Sequence, residues 1–234
     1  MFKDLLACKA EPDSAVVDFE GKYDPLSRNM AISKTYKIGD LKAKSKKHGV
    51  SLNTYTFGAI MKAIVDYSEG KEPSPFLAAM CSTSRKAFKT FDDFTCDNQI
   101  ATPTFAMQLD DSLGNCIKNA EDKLKVLKLP GLTTESIKGE KMEAMFLPIW
   151  LRRKLYSNLN TLRFVCISMA GPPKQMFFEG KKVDYRISAV GAFTNTFAIQ
   201  TLGENAKITL NSNSGFFKDS KGLLKAVEKV IDED

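Results

Sequence analysis

Histidine is nearly missing from this chain: His48 is the only one in 234 residues. A zinc site of ordinary spacing is therefore not expected, and any His-based relay has to be built on this one side chain. Cysteine is present but unpatterned. Cys8, Cys81, Cys96, Cys116 and Cys166 show no C-x-x-C spacing. Three of them sit in apolar or strand-like runs, which reads as buried free thiols in a reducing, intracellular compartment. No apolar run approaches the roughly 18 residues of a membrane span. The first thirteen residues lack both the apolar stretch of a secretory signal and the acid-free, Arg-rich pattern of a transit peptide. Gly171 and Gly180 form no phosphate-cradling motif. Basic residues do not interleave with aromatics in the way single-stranded nucleic acid requires. Asp92-Asp93 and Asp110-Asp111 lack the spaced partners of a metal site and read as turn or N-cap acids.

What is present is ordinary globular material. Hydrophobic residues make up 43% and charged residues 26%, which is enough to bury a core and too apolar for disorder. The net charge of +6 is spread among acids, except over residues 34–47, where six lysines face one aspartate. That run reads as a solvated helix face rather than a patch for an anionic partner.

Along the chain, residues 1–33 carry Pro12, Gly21 and Asp24-Pro25 and read as an arm lying along the domain or a partner. Residues 34–234 then form the domain proper. A helix is expected over 52–68, with Phe57, Ile60, Met61, Ile64 and Val65 on one stripe, Asn53 and Thr54 able to cap it, and Gly70 suited to its end. Residues 76–82 and 100–109 read as strands, and 112–128 as an amphipathic helix through Leu113, Ile117, Ala120, Leu124 and Leu127. Residues 135–159 read as a helical region broken at Pro148, with Phe146, Leu147, Ile149, Trp150 and Leu151 around the break. Residues 162–169 read as a strand buried on both faces, stopped by Gly171-Pro172-Pro173. A meander follows, with strands over 186–193, 197–203 and 205–211. Its two connections are Thr194-Asn195-Thr196, which lacks glycine, and Gly203-Glu204-Asn205. A last helix starts at Asp219 or Ser220. The sum is an α/β (α+β) domain, a mixed sheet covered by helices, with Phe57, Ile60, Ile64, Leu77, Phe105, Phe164, Cys166, Ile199 and Leu210 in its core.

Five segments, taken in order, resemble the wax ester synthase/diacylglycerol acyltransferase family. His48-Gly49-Val50-Ser51-Leu52-Asn53 is similar to the family's "G-V-x-x-N-D", with Thr54 in place of the aspartate. Cys81-Ser82-Thr83-Ser84-Arg85 resembles its "P-V-S-x-R", and Asp97-Asn98-Gln99-Ile100 its "G-N-x-F". Ile167-Ser168-Met169-Ala170-Gly171-Pro172 resembles "S-N-V-P-G-P", and Phe178-Glu179-Gly180-Lys181-Lys182-Val183 the "L-x-G-x-x-V" that follows. Asn53, Arg85, Asn98, Gly171, Pro172 and Gly180 are the positions that match.

The resemblance implies one lobe, the C-terminal one, of a two-lobed chloramphenicol-acetyltransferase-like fold. In that family the catalytic "H-H-x-x-x-D-G" belongs to the other lobe, and its histidine deprotonates an alcohol that attacks acyl-CoA. The motif is absent from this sequence, and His48 matches no catalytic position. The resemblance thus implies a catalytically silent acyltransferase-like lobe in a larger assembly, with no catalytic residue and no cofactor of its own. The alternative is half of an active O-acyltransferase using acyl-CoA, completed by another chain or an upstream region. Either way a protein partner is expected, with Trp150, Arg152 and Arg153 as contacts. Nucleic acid is not expected. Without a span, association with a membrane could only be at its surface.

Overall fold

The computed structural model describes residues 28–69, 76–80, 82–83, 100–101, 104–127, 146–151, 164–170, 176–183, 195–213 and 219–234. Among these, seven strands form one mixed sheet. Strands β1 (Arg28–Ile32), β2 (Tyr36–Lys37), β3 (Phe76–Met80), β6 (Thr104–Met107), β7 (Phe164–Ala170), β10 (Asn195–Leu202) and β11 (Asn205–Asn213) take the spatial order β1-β11-β10-β7-β3-β6, with β2 also on β11. Two short ribbons stand apart: β4 (Ser82–Thr83) with β5 (Ile100–Ala101), and β8 (Phe177–Phe178) with β9 (Lys181–Lys182). The helices are α1 (Ile38–Lys47), α2 (Leu52–Tyr67), α3 (Leu113–Leu127) and α4 (Ser220–Glu233). The mixed sheet with helices is as expected.

Alternation along β10 and β11 decides which face is apolar. Phe197 and Ile199, with Ile208 and Leu210, point to one side, where they join Phe57, Ile60 and Ile64 of α2 and Leu223, Leu224 and Val227 of α4 in one buried cluster. Phe105 lies 5.7 Å from Phe57 in an edge-to-face pair, which brings β6 into the same core. The expected core residues Phe57, Ile60, Ile64, Phe105, Ile199 and Leu210 are all buried. The side chains of Leu77, Phe164 and Cys166 lie outside the described residues.

Local chemistry sets the ends. Ser51 caps α2, its Oγ accepting from the Thr54 N–H at 3.2 Å. This corrects the expected cap: Asn53 is exposed, and Thr54 supplies the donor rather than the acceptor. Gly70, expected past the helix end, lies outside the described residues. Asp219 caps α4, Oδ1 accepting from the N–H groups of Lys221 and Gly222 at 3.1 and 2.9 Å. Asp110 organises the entry to α3, Oδ1 accepting from Ser112 N and Asn115 Nδ2, which is the turn role read for it.

Three strand expectations are corrected. The run 100–109 is two strands with different partners, β5 on β4 and β6 on β3. Pro103, between them in sequence, has no N–H to give a ladder. The run 76–82 likewise divides into β3 and β4. Asn195 and Thr196, expected in a hairpin turn, are instead the first residues of β10, which runs parallel to β7 with Asn195 opposite Val165. A tight hairpin needs positive φ, and that tripeptide has no glycine to supply it. The β10–β11 turn does, with Gly203 at φ 57°. The expected strand over 186–193 lies outside the described residues. Residues 28–32, the end of the stretch read as an arm, pair antiparallel with β11 as β1.

Helices α2 and α3 approach closely at Gly58. A Cβ there would lie 2.6 Å from Ile117 Cγ1 and 2.8 Å from the Ile117 Cα on α3. Only a residue without Cβ lets the two backbones meet. Gly58→Val should therefore lower the unfolding free energy by about 1–3 kcal/mol. Asn53→Ala on the same helix should change it little. Urea midpoints of the two variants against the parent check this.

Candidate functional site

Two polar arrangements stand out, and neither was legible locally. The first lies where strands β3, β7 and β10 run parallel. Residues alternate faces, so Thr196, Ala198, Gln200 and Leu202 of β10 lie on the face away from the helical core, level with Cys166, Ser168 and Ala170 of β7. Thr209 of β11 lies on that same face, and its hydroxyl donates to the Ala198 carbonyl at 3.4 Å. Gln200 is only 3% exposed, yet its Oε1 accepts no hydrogen bond among the described residues. In register it sits opposite Ala170, the last residue of β7. Tyr36 Oη and Ser212 Oγ are the other buried polar atoms in this condition.

This is the carboxyl end of a parallel pair, where open α/β sheets place ligands. Gly171 and Pro172 follow β7 directly in sequence, and Arg85 lies two residues past the end of β4. Those three side chains, with Asn98, Arg152 and Arg153, lie outside the described residues. Of the other positions singled out, Asn53 is on the exposed first turn of α2, and Gly180 (φ 75°) closes the β8–β9 ribbon beside Glu179 (φ 49°). They share no hydrogen bond. Trp150 is 64% exposed, so it is not a core residue. Phe146 and Ile149 beside it are exposed too, around a turn closed by Leu151 N–H to the Pro148 carbonyl.

The second arrangement is built on Asp234, whose side chain is 7% exposed. Its Oδ1 lies 3.0 Å from His48 Nε2 and 3.1 Å from Lys47 Nζ. Its Oδ2 accepts from the Tyr55 hydroxyl at 3.1 Å, and its carbonyl accepts from Lys47 Nζ at 2.7 Å. The His48 and Tyr55 rings stack at 5.8 Å. Burial alone would raise the Asp234 carboxyl, but the hydrogen bonds from His48, Lys47 and Tyr55 and the His48 charge together hold it below the usual carboxylate value. Burial, and then the Asp234 charge, push the Tyr55 phenol well up, so it stays a donor.

A histidine on a carboxylate is half of a base relay, but here the carboxylate is shared by three donors. No hydroxyl or thiol nucleophile hydrogen-bonds His48 among the described residues. The cluster ties α4 to α1 and α2. Lys44, on the Ile231 carbonyl at 2.7 Å, also ties α4 to α1, and Lys34, on Asp232, ties it to the connection between β1 and β2. The lysine-rich run is solvent-exposed as expected, with only Lys44 half-buried, and three of its lysines, Lys34, Lys44 and Lys47, also reach the carboxyl end of α4. Nothing in the sequence flags His48 with Asp234, which are 186 positions apart.

Cys116 is a free, buried thiol that burial pushes up to about 11, which makes it a poor nucleophile. Among the described residues no group of three His, Cys, Asp or Glu could hold a metal, and no helix is long and apolar enough to cross a membrane.

The sheet and its helices have the chloramphenicol-acetyltransferase-like fold, as three solved structures show. The chain is similar to the wax ester synthase/diacylglycerol acyltransferase from Marinobacter aquaeolei VT8, with a TM-score of 0.59 and 14% identity over 91% of this chain and 51% of that one. It is similar also to the epimerization domain of the third module of tyrocidine synthetase B (0.60, 10%, 99% and 53%). A third likeness is to the condensation domain for chain release from the enacyloxin polyketide synthase (0.57, 10%, 90% and 41%). The chain spans between 41% and 53% of the length of these. No protein-family model and no curated protein sequence matches it.

The Asp234 cluster makes stability depend on acid. A carboxyl held below its unfolded value near 3.8 contributes fully above that range, and its contribution is lost as pH falls through the lower, folded value. Asp234→Asn should cost about 1–2 kcal/mol at pH 6, and the gap to the parent should close toward pH 3. Chemical denaturation at the two pH values measures it.

Proposed function

We propose that this chain is an acyltransferase-like lobe that is catalytically silent by itself and serves as a structural or ligand-binding subunit of a larger assembly. The carrying observation is the state of its single histidine, held on Asp234 with Lys47 and Tyr55 sharing the same carboxylate. Deprotonating an alcohol for attack on a thioester needs a base within hydrogen-bond reach of the hydroxyl. The sequence contains no H-H-x-x-x-D-G to supply one. The Gln200 acceptor at the carboxyl end of β10, unpaired among the described residues, supports the ligand-binding side of this reading. Gly171, Pro172 and Arg85 follow the neighbouring strands in sequence, which makes them the residues to examine beside it.

A second reading is favoured by one observation, that the chain spans 51% of the Marinobacter acyltransferase. In that reading the chain completes an O-acyltransferase whose catalytic histidine comes from another chain or an upstream region. Acyl-CoA is then a substrate of the completed enzyme.

Purified chain, given acyl-CoA and a long-chain alcohol, should release no CoA above background, because a missing general base costs on the order of 10²–10⁴-fold in rate. Turnover that disappears in His48→Ala would overturn the silent reading and make His48 catalytic. Activity appearing only when a protein bearing H-H-x-x-x-D-G is added would select the second reading.

A further inference from the structure

Strand β1 is one of the two edge strands of the sheet. Strand β1 has one neighbour, β11, and its outer edge pairs with no strand among the described residues. Edge strands usually carry a proline, a bulge or a mid-strand lysine that blocks further pairing. β1 reads Arg-Asn-Met-Ala-Ile and has none of these. Met30 and Ile32, on its outward face, are 44% and 42% exposed.

Beside this edge runs a groove of ≈ 280 Å³ between β1 and α4. Its strand wall is Met30 to Ile32, and its helix wall is Lys221, Leu224, Lys225 and Glu228. Those four residues recur at i, i+3, i+4 and i+7, so one stripe of α4 faces the strand. The charges are not balanced within the groove. Glu228 Oε1 already accepts the Lys34 backbone N–H at 2.6 Å. The ammonium groups of Lys221 and Lys225 make no ion pair among the described residues.

We propose that this edge and groove receive an extended strand from a second protein chain, apolar on one face and acidic on the other. The pattern follows from the pleat. Facing residues of paired strands share a face, so one side of the added strand lies beside Met30 and Ile32 and has to be apolar. The other side points toward α4, where carboxylates reach Lys221 and Lys225. Main-chain hydrogen bonds to the open edge supply affinity, and the side chains supply selection. Two lysines are too few to hold a nucleic acid backbone, and the edge groups need an amide partner that neither nucleic acid nor a membrane offers. This surface is separate from the Gln200 end of the sheet and does not depend on the acyltransferase-like reading.

The test uses the full chain and a labelled probe peptide, Val-Glu-Val-Asp-Val-Glu-Val. Fluorescence anisotropy should show saturable binding that weakens as salt is raised. Lys221→Glu with Lys225→Glu should weaken it at least tenfold, and a peptide with lysine at its acidic positions should bind that variant better than the parent. Met30→Lys, which adds the missing edge charge, should also weaken binding. All three positions are exposed, so thermal midpoints should stay within a few degrees of the parent. Hydrogen exchange on the unaltered chain gives an independent readout, because amides of residues 28–32 should slow when the peptide is added. Absence of binding, or binding indifferent to the charge reversal, overturns the proposal. So does protection of residues 28–32 before any peptide is present, since the edge is then filled by the chain itself. A concentration-dependent dimer that loses this protection on dilution overturns it in favour of a second copy.

Discussion

Everything in this fold rests on the burial of α2, whose exposed positions are few, Asn53 at its start and Asp66 near its end. Tyr55, Phe57, Ala59, Ile60, Met61, Ala63 and Ile64 have no measurable exposure, and Thr54 and Thr56 almost none. The helix meets α3 on one side, α4 on another and the sheet residues Phe105, Phe197 and Ile199 in the common core. Each large side chain so buried contributes about 1.5–3 kcal/mol. The two threonines are tolerated because each has a local partner: Thr56 Oγ1 donates to the Leu52 carbonyl at 2.8 Å, and Thr54 Oγ1 lies 2.8 Å from Ser51 Oγ. Gly58 lets α3 approach, and this closeness seats Cys116, Ile117 and Ala120 against the helix. The Asp234 cluster then fixes the far end of α4 to Tyr55, on the first turns of the same helix. Core packing and polar locking thus converge on one element.

That centrality was half legible. The stripe Phe57, Ile60, Met61, Ile64 and Val65 carries the 3.6-residue signal, because large apolar residues dominate any periodic pattern. Much of the opposite side of α2 is buried too, through Tyr55, Gly58, Ala59 and Ala63, which carry little periodic weight, and only Lys62 and Asp66 open it to solvent. α4 was easier, since its apolar residues Leu223, Leu224, Val227, Val230 and Ile231 face one way and lysines the other. Strand pairing divides along the same physical line. The β10–β11 hairpin announces itself through Gly203, a local requirement of backbone geometry. The parallel pairing of β7 with β10 has no local requirement, because the partner is chosen by packing across a crossover. For that reason Asn195 and Thr196 read as a turn. The family resemblance was carried by short motifs at strand ends, and the fold agrees with it at identities where sequence alone finds no match.

The polar face of the sheet supplies the last constraint. Ala198 and Leu202 flank Gln200 on the same face of β10 and are each 2% exposed, so apolar side chains fit there without difficulty. Solvent therefore does not explain an amide at position 200. A buried acceptor left without a donor costs about 1–3 kcal/mol, a cost that neighbouring positions show the strand could avoid. Thr209 meets the same burial by donating to the Ala198 carbonyl, so the sheet does satisfy polar groups where packing alone is at stake. Gln200 differs from it in place: it stands opposite Ala170, where β7 ends and the sequence turns into Gly171-Pro172. Gln200 is thus a buried amide whose acceptor is unpaired among the described residues, placed where the parallel strands end rather than in the middle of the sheet.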